Sequence, residues 1–319
     1  MSTPRDYEGS LRAIEEMVAL IERTLGERGT VGIGIPGTVS QRTGIVKNAN
    51  STWLIGTPLE RVLEERLGRQ VRLMNDANCF TLSEATDGAG AGFDSVFGVI
   101  LGTGVGGGIT IGRRVHVGAN LIGGEWGHNP LPWPDASESP GPPCYCGRRG
   151  CIETWLSGPG MERDHRAHTG ESRSTHEIVR TAESGDASAQ ATIARYHDRL
   201  GRGLASVVNV LDPDVIVLGG GMSNLPGLDE AAAAAVRPHV FSDTVETVVR
   251  RNVHGDSSGV RGAAWLWPDD LPTGHPQRLV LRNSDRRCVA PEGGAITQEH
   301  GHLGRTPSVT VVECWVPPR

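Results

Sequence analysis

The chain reads as an α/β protein in two lobes, for three reasons. Apolar, strand-like runs alternate with helical stretches along most of its length. Three of those runs open onto glycine turns, "GIPGT" (34 to 38), "GTGVGGG" (102 to 108) and "GGGMS" (219 to 223). A length of 319 residues also exceeds what one hydrophobic core usually supports.

The elements follow in order. Leu11, Ile14, Val18, Ile21 and Leu25 recur at helical spacing with charges between them, which predicts an amphipathic first helix. "TVGIGIPGT" reads as a buried strand entering a glycine turn, "PLERVLEERL" as a helix stopped by Gly68, "QVRLMND" as a strand, and "ANCFTLSEA" as the start of a helix. The strand "SVFGVILG" runs into "TGVGGG" and a hairpin, "GITIGRRVHVG". Two helical stretches come later, the longer being "SAQATIARYHDRLGRGLASVVNVL", before the apolar strand of "DPDVIVLGGGMS". A further helix, a strand around "ETVVRRN" and a loop entering a helix, "GDSSGVRGAAWLW", complete the alternation. Residues 269 to 319 lose this periodicity apart from a short "SVTVVECWV" and read as an irregular tail of low order. The expected division is therefore an N-terminal lobe over 1–115, a C-terminal lobe over 116–268 and the tail over 269–319.

A net charge of −6 and a pI near 6.0, with no cluster of Lys and Arg, argue against nucleic acid or an anionic membrane as the main partner. The opening "MSTPRDYEGS" is polar with no apolar core behind it, and no apolar run approaches bilayer length, so a cytoplasmic location is expected. In a reducing compartment a tight cysteine group reads first as a metal site.

Such a group occurs in "CYCGRRGCIETW", where Cys144, Cys146 and Cys151 fall within eight positions. Structural zinc takes four N or S donors, so a fourth ligand is needed. His128 in "GGEWGHNPLPW" is the first candidate and Cys79 the second. The glycine turns suit phosphate, because glycine lets backbone N–H groups approach an anion closely. In "MNDANC", Asp76 follows a strand directly. It reads equally as a general base for phosphoryl transfer or as the cap of the next helix.

Taken together, "GIGIPGTVSQRTGIVKNANSTW", "NDANCFTLSEA", "ILGTGVGGGI", "GGEWGHNPLPW", "CYCGRRGCIETWLSG" and "DPDVIVLGGGMSN" resemble the ROK family of sugar kinases and repressors. Within that family the likeness is to bacterial fructokinases with mannokinase activity, and it runs from about residue 3 to Trp267. It implies the ribonuclease H-like, actin-type fold, two lobes with ATP and sugar meeting in a cleft, and a homodimer. The implied reaction is ATP-dependent phosphorylation of a hexose, D-fructose to fructose 6-phosphate, with Mg2+ and a structural Zn2+. Carried over by position, Asp76 matches the catalytic base. Asn50, Asn75, Glu125, His128 and Glu153 match sugar contacts. Gly102, Thr103, Gly104 and Gly106 match a phosphate loop, and Gly219, Gly220 and Gly221 the adenosine-side turn. His128, Cys144, Cys146 and Cys151 match the zinc ligands.

The family's opening strand and D-x-G-G-T-K turn do not occur in these residues. The resemblance therefore implies an incomplete N-terminal lobe, a strand "VGIGI" with an unpaired edge, and weak transfer by the chain as given. The alternative is a sugar-binding member of the family impaired in catalysis. A repressor would need a helix-turn-helix, which one polar opening helix does not supply.

Overall fold

The computed structural model describes residues 4–40, 42–49 and 51–267, and the backbone of 311–313. Asn50 and the rest of the expected tail lie outside the described residues. The chain divides into two compact units, Met1–Ser83 with Ser257–Arg319, and Glu84–Asp256.

In the first unit, α1 (Tyr7–Leu25) starts where the Asp6 side chain accepts the Gly9 N–H, and stops at Gly26 in the left-handed region. Its apolar stripe, Leu11, Ile14, Val18 and Ile21, is fully buried. It packs into one core with β1 (Val31–Ile35) and with Leu59 and Leu63 of α2 (Leu59–Leu67). Two short strands, β2 (Thr38–Val39) and β3 (Val46–Lys47), form a separate antiparallel ribbon. β4 (Val71–Asn75) lies parallel to β1 from Val31↔Val71 to Ile35↔Asn75, so both strands end at the same level and α3 (Asp76–Asp87) begins there.

The edge of "VGIGI" expected to be open is paired. A strand from the tail, Val311–Glu313, runs parallel to β1 from Gly32↔Val311 to Gly34↔Glu313, and β1 becomes the middle strand of three. Its amides thus have partners on both sides, which explains how all five of its residues are buried. A late helix, Ser258–Ala264, packs on this strand so closely that a side chain on Gly32 would collide with the Ala263 carbonyl. Cys79 is fully buried beside Val260 and Ala263 of the same helix.

The second unit is built on a five-stranded sheet. β5 (Ser95–Leu101) and β6 (Val105–Ile111) form an antiparallel hairpin, extended by the short β7 (Arg114–Val115). The helices α4 (Ile152–Leu156), α5 (Gly158–Thr169), α6 (Thr175–Glu183) and α7 (Ala187–Leu211) follow. β8 (Val215–Gly219) then returns parallel to β5, and after α8 (Leu228–Val236) β9 (Val248–Arg251) extends the sheet beyond β8. Tyr196, Leu200, Leu204 and Val208 of α7 fill the core against Phe97, Val99, Ile216 and Leu218.

This grouping differs from the expected division at 115/116. The ladder from Val96↔Val215 to Ile100↔Gly219 ties the β5–β6 hairpin to a strand more than a hundred residues later, and the unit boundary falls between Ser83 and Glu84. The residues after 256 rejoin the first unit instead of closing the second.

Candidate functional site

Two stretches of chain are clamped together to form the centre of the site. Leu131 N–H donates to the Gly150 carbonyl (2.9 Å) and Ile152 N–H to the Asn129 carbonyl (2.8 Å), so the segment leaving His128 is bridged to Cys151 through Pro130. Between them the backbone folds into a knuckle, with Cys144 N–H donating to the Arg148 carbonyl and Gly147 N–H to the Cys144 carbonyl. Among the described residues, His128, Cys144, Cys146 and Cys151 form the one group of this kind, their ligand atoms all within 4.8 Å of one another.

The spacing within the group fits zinc. Zinc–sulfur bonds of about 2.3 Å at a tetrahedral angle separate two sulfurs by about 3.8 Å, and a sulfur from a nitrogen by about 3.6 Å. Cys146 Sγ and Cys151 Sγ are 3.6 Å apart, and Cys144 Sγ lies 3.6 Å from His128 Nδ1. Burial pushes the Cys151 thiol up to about 12, while the Arg148 N–H helps to pull Cys146 down to about 7. Ligation would displace the remaining thiol protons, so affinity for the ion rises with pH. Cys79, the second candidate for the fourth ligand, belongs to the first unit and is not in the group.

Glu153, two residues into the helix that Cys151 begins, connects this knot to the β5–β6 turn. Its Oε2 accepts the Val105 N–H at 3.1 Å, and the Cys144 thiol points at its Oε1 from 3.9 Å. A Cβ on Gly104 would lie 2.6 Å from Oε2, so a side chain there would push the carboxylate out of this position. Glu125 precedes, and His128 ends, a single turn of 3-10 helix over Trp126–His128, anchored by the buried Trp126, whose Nε1 donates to the Gly106 carbonyl. Desolvation raises the Glu125 carboxyl above its ordinary value, and Glu153 adds to this while His128 opposes it.

The glycine segments divide differently from the sequence expectation. Gly102, Thr103 and Gly104 do make the tight turn between β5 and β6, closed by Gly102 N–H on the Gly104 carbonyl. Gly106, expected with them, lies inside β6 opposite Ile100, so its backbone belongs to the sheet. Gly219 ends β8, Gly220 has φ +81°, and Gly221 opens a short 3-10 turn. A side chain on Gly102 or Gly221 would meet nothing within 4 Å, whereas one on Gly220 would strike the Leu101 backbone. Gly102 and Gly221 thus have the open backbone that an approaching anion needs.

Asp76 and Asn75 lie in the first unit. Asn75 Oδ1 accepts the N–H groups of Ala77 (3.0 Å) and Asn78 (3.2 Å), which is the capping role left open for Asp76. Asp76 is the first residue of α3, half-buried, with Oδ1 2.8 Å from the Ala77 N–H.

Two features escaped the sequence. Tyr145, between two of the cysteines, sets its hydroxyl 2.9 Å from His128 Nε2. Glu138, only 4% exposed, accepts from Arg199 Nε and from both terminal nitrogens of Arg202 at 2.8–2.9 Å. Arg202 also donates to the Pro132 and Trp133 carbonyls, Arg199 reaches Asp164 at 2.7 Å, and the Arg199 guanidinium lies over the Trp155 ring. The loop leading into the knuckle is thereby fastened to α4, α5 and α7. The only hint of this was the helical spacing of Arg195, Arg199 and Arg202, which reads equally as a solvated face.

Known proteins share this arrangement of elements. An N-acetyl-D-glucosamine kinase of Escherichia coli is 40% identical over 269 residues, spanning 83% of this chain and 89% of that one. The solved ROK hexokinase from Thermus thermophilus superposes with a TM-score of 0.73 at 36% identity, covering 82% of this chain and 87% of its own. A ROK family glucokinase from Streptomyces griseus, solved with glucose and AMPPNP, gives 0.69 at 29% identity, covering 83% and 89%. The fold is the actin-type α/β fold of these kinases. Residues 1–270 match the ROK family throughout, and the chain belongs to it.

Proposed function

We propose that this protein is an ATP-dependent hexose kinase. The observation that carries the reading is the convergence of Glu125, His128 and Glu153 around one cysteine knot tied directly to the Gly102–Gly104 turn. A sugar is recognised by fixed acceptors and donors matched to its hydroxyls, and carboxylates and an imidazole on a rigid knot supply them. His128, Cys144, Cys146 and Cys151 would hold the zinc, which with four protein ligands is structural and leaves no position for water. Asn50 and Asn75 are assigned as further sugar contacts.

Asp76 takes the proton of the attacking sugar hydroxyl, with Asn75 relieving it of the capping duty. Backbone N–H groups of Gly102 to Gly104 and Gly219 to Gly221 receive the nucleotide phosphates, while Gly106 supports the turn from within the sheet. Mg2+ arriving with ATP neutralises charge on the phosphates. With this reading go a cytoplasmic location and a homodimer, the latter readable by light scattering. Among the described residues no helix is long and apolar enough to cross a membrane.

The motif likeness points to D-fructose, giving fructose 6-phosphate. The 40% identity with an N-acetyl-D-glucosamine kinase favours that sugar as a second reading. An ADP-release assay with D-fructose, D-mannose, D-glucose and N-acetyl-D-glucosamine separates them by kcat/KM. Sugar binding is measured alongside, because the D-x-G-G-T-K turn is not among these residues. Binding without sugar-dependent ADP release would replace the kinase reading with that of a sugar-binding protein.

A further inference from the structure

We propose that Tyr145 sets the sugar affinity of this site by occupying the His128 nitrogen that a sugar hydroxyl must take. The inference rests on the hexose-kinase reading and adds to it a residue that competes with substrate. His128 presents its two nitrogens in opposite directions: Nδ1 lies 3.6 Å from Cys144 Sγ, and Nε2 lies 2.9 Å from the Tyr145 hydroxyl. The tyrosine ring stands edge-on to the imidazole, with centroids 5.1 Å apart and planes at 87°. Yet Tyr145 is 82% exposed, so burial does not hold the ring in this pose. The contacts with His128 do.

The tautomer makes the competition exclusive. An imidazole that gives its Nδ1 lone pair to a metal carries its one proton on Nε2 and is a single donor there. The Tyr145 oxygen accepts that N–H in the sugar-free protein, and a sugar hydroxyl needs the same N–H. Both cannot take it with good geometry. The backbone on either side of Tyr145 is fixed by the Cys144–Arg148 and Gly147–Cys144 hydrogen bonds, while its side chain projects to solvent. Rotation about the side-chain torsions therefore releases His128 without disturbing the knuckle. Each sugar pays for this exchange out of its own hydrogen bond, which penalises sugars whose hydroxyl meets Nε2 poorly.

The test uses zinc-loaded full-length protein and its Tyr145→Phe variant, which keeps the ring and removes only the oxygen. Binding of N-acetyl-D-glucosamine, D-glucose and D-fructose is measured by calorimetry without nucleotide, and zinc per chain by elemental analysis. We expect Tyr145→Phe to bind the preferred sugar roughly two- to tenfold more tightly, the worth of one exposed hydrogen bond, at unchanged zinc content. The gain should vanish for the deoxy analogue that lacks the hydroxyl facing His128. Equal or weaker binding by Tyr145→Phe at full zinc content overturns the competition and makes Tyr145 a bystander or a direct sugar contact. Failure of the wild-type protein to bind any of the three sugars would sink the underlying reading as well, whereas wild-type binding with an unchanged variant sinks only this inference.

Discussion

Glu153 accepts the backbone N–H of Val105 at 3.1 Å, although 48 residues separate them, and its other oxygen faces the Cys144 thiol. One carboxylate thus joins the cysteine knot to the turn between β5 and β6, so that a disturbance at either is felt at the other. Gly104 completes the relationship, since any side chain there would displace the carboxylate.

Replacing Glu153 with Gln keeps an oxygen for Val105 but removes the charge. Sugar affinity should fall about tenfold or more, because hydrogen bonds to charged groups exceed neutral ones by about 1 kcal/mol or more. Glu153→Ala should show the same loss and in addition a lower melting temperature, since the Val105 N–H is left without its partner. Calorimetry and thermal melts of the two variants separate the roles. Identical melting of Gln and Ala would show that the Val105 bond contributes nothing.

Protein purified without chelator should carry about one zinc per chain, and Cys146→Ser well under one. Metal binding contributes directly to folding free energy, so stripping zinc should lower the melting temperature and weaken sugar binding together. Elemental analysis paired with melts checks this. Normal sugar affinity in a zinc-free variant would separate the metal from the sugar site.

Asp76→Asn should reduce turnover by about two orders of magnitude or more, with sugar affinity largely kept, because the amide cannot take the proton. Its melting temperature should move little, since Asn75 carries the cap. Asn75→Ala should instead destabilise by about 1 kcal/mol. Near-normal turnover of Asp76→Asn would remove it from the chemistry.

What the sequence disclosed depends on how local each signal is. The metal group was legible because three ligands lie within eight residues and the fourth sits in a distinctive neighbouring segment. Most helices and strands up to Trp267 followed from periodicity, although the short β2 and β3 and the division of the two later helical stretches into α4 to α7 did not; α1 is the clearest case, with every residue of its predicted apolar stripe except the terminal Leu25 buried. Gly106 was grouped with the turn because a run of glycines looks like one, while its pairing with Ile100 is a property of the partner strand. The tail strand beside β1 was missed for the same reason: nothing near 311–313 reports that Gly32 to Gly34 needs a neighbour. Glu138, Arg199 and Arg202 look like surface residues one at a time, and only tertiary packing reveals them as mutually satisfied and buried.

That buried group gives the last prediction. Burial alone would push the Glu138 carboxyl up, but Arg202 and Arg199 outweigh it, and the group is held below its ordinary value. Asp164 is lowered in the same way, with Arg195 and Arg199 overcoming its burial. A carboxyl depressed in the folded state binds its proton more weakly there than in the unfolded chain. Its stabilisation is therefore complete above the unfolded value of about 4 and is lost as pH falls through the lower folded value. In zinc-stripped protein, where the metal's own pH dependence is removed, the melting temperature should hold from pH 7 to about 5 and drop steeply below 4. Glu138→Gln removes one depressed carboxyl and leaves Arg199 with Asp164 and Arg202 with Asp198 as their remaining anions, which costs about 1.5–3 kcal/mol at neutral pH, the worth of hydrogen bonds to a charged group. Its melting curve should start lower at pH 7 and fall less between pH 5 and 3, so that the two curves converge in acid. Parallel curves, offset equally at every pH, would show that Glu138 acts through packing and not through its charge.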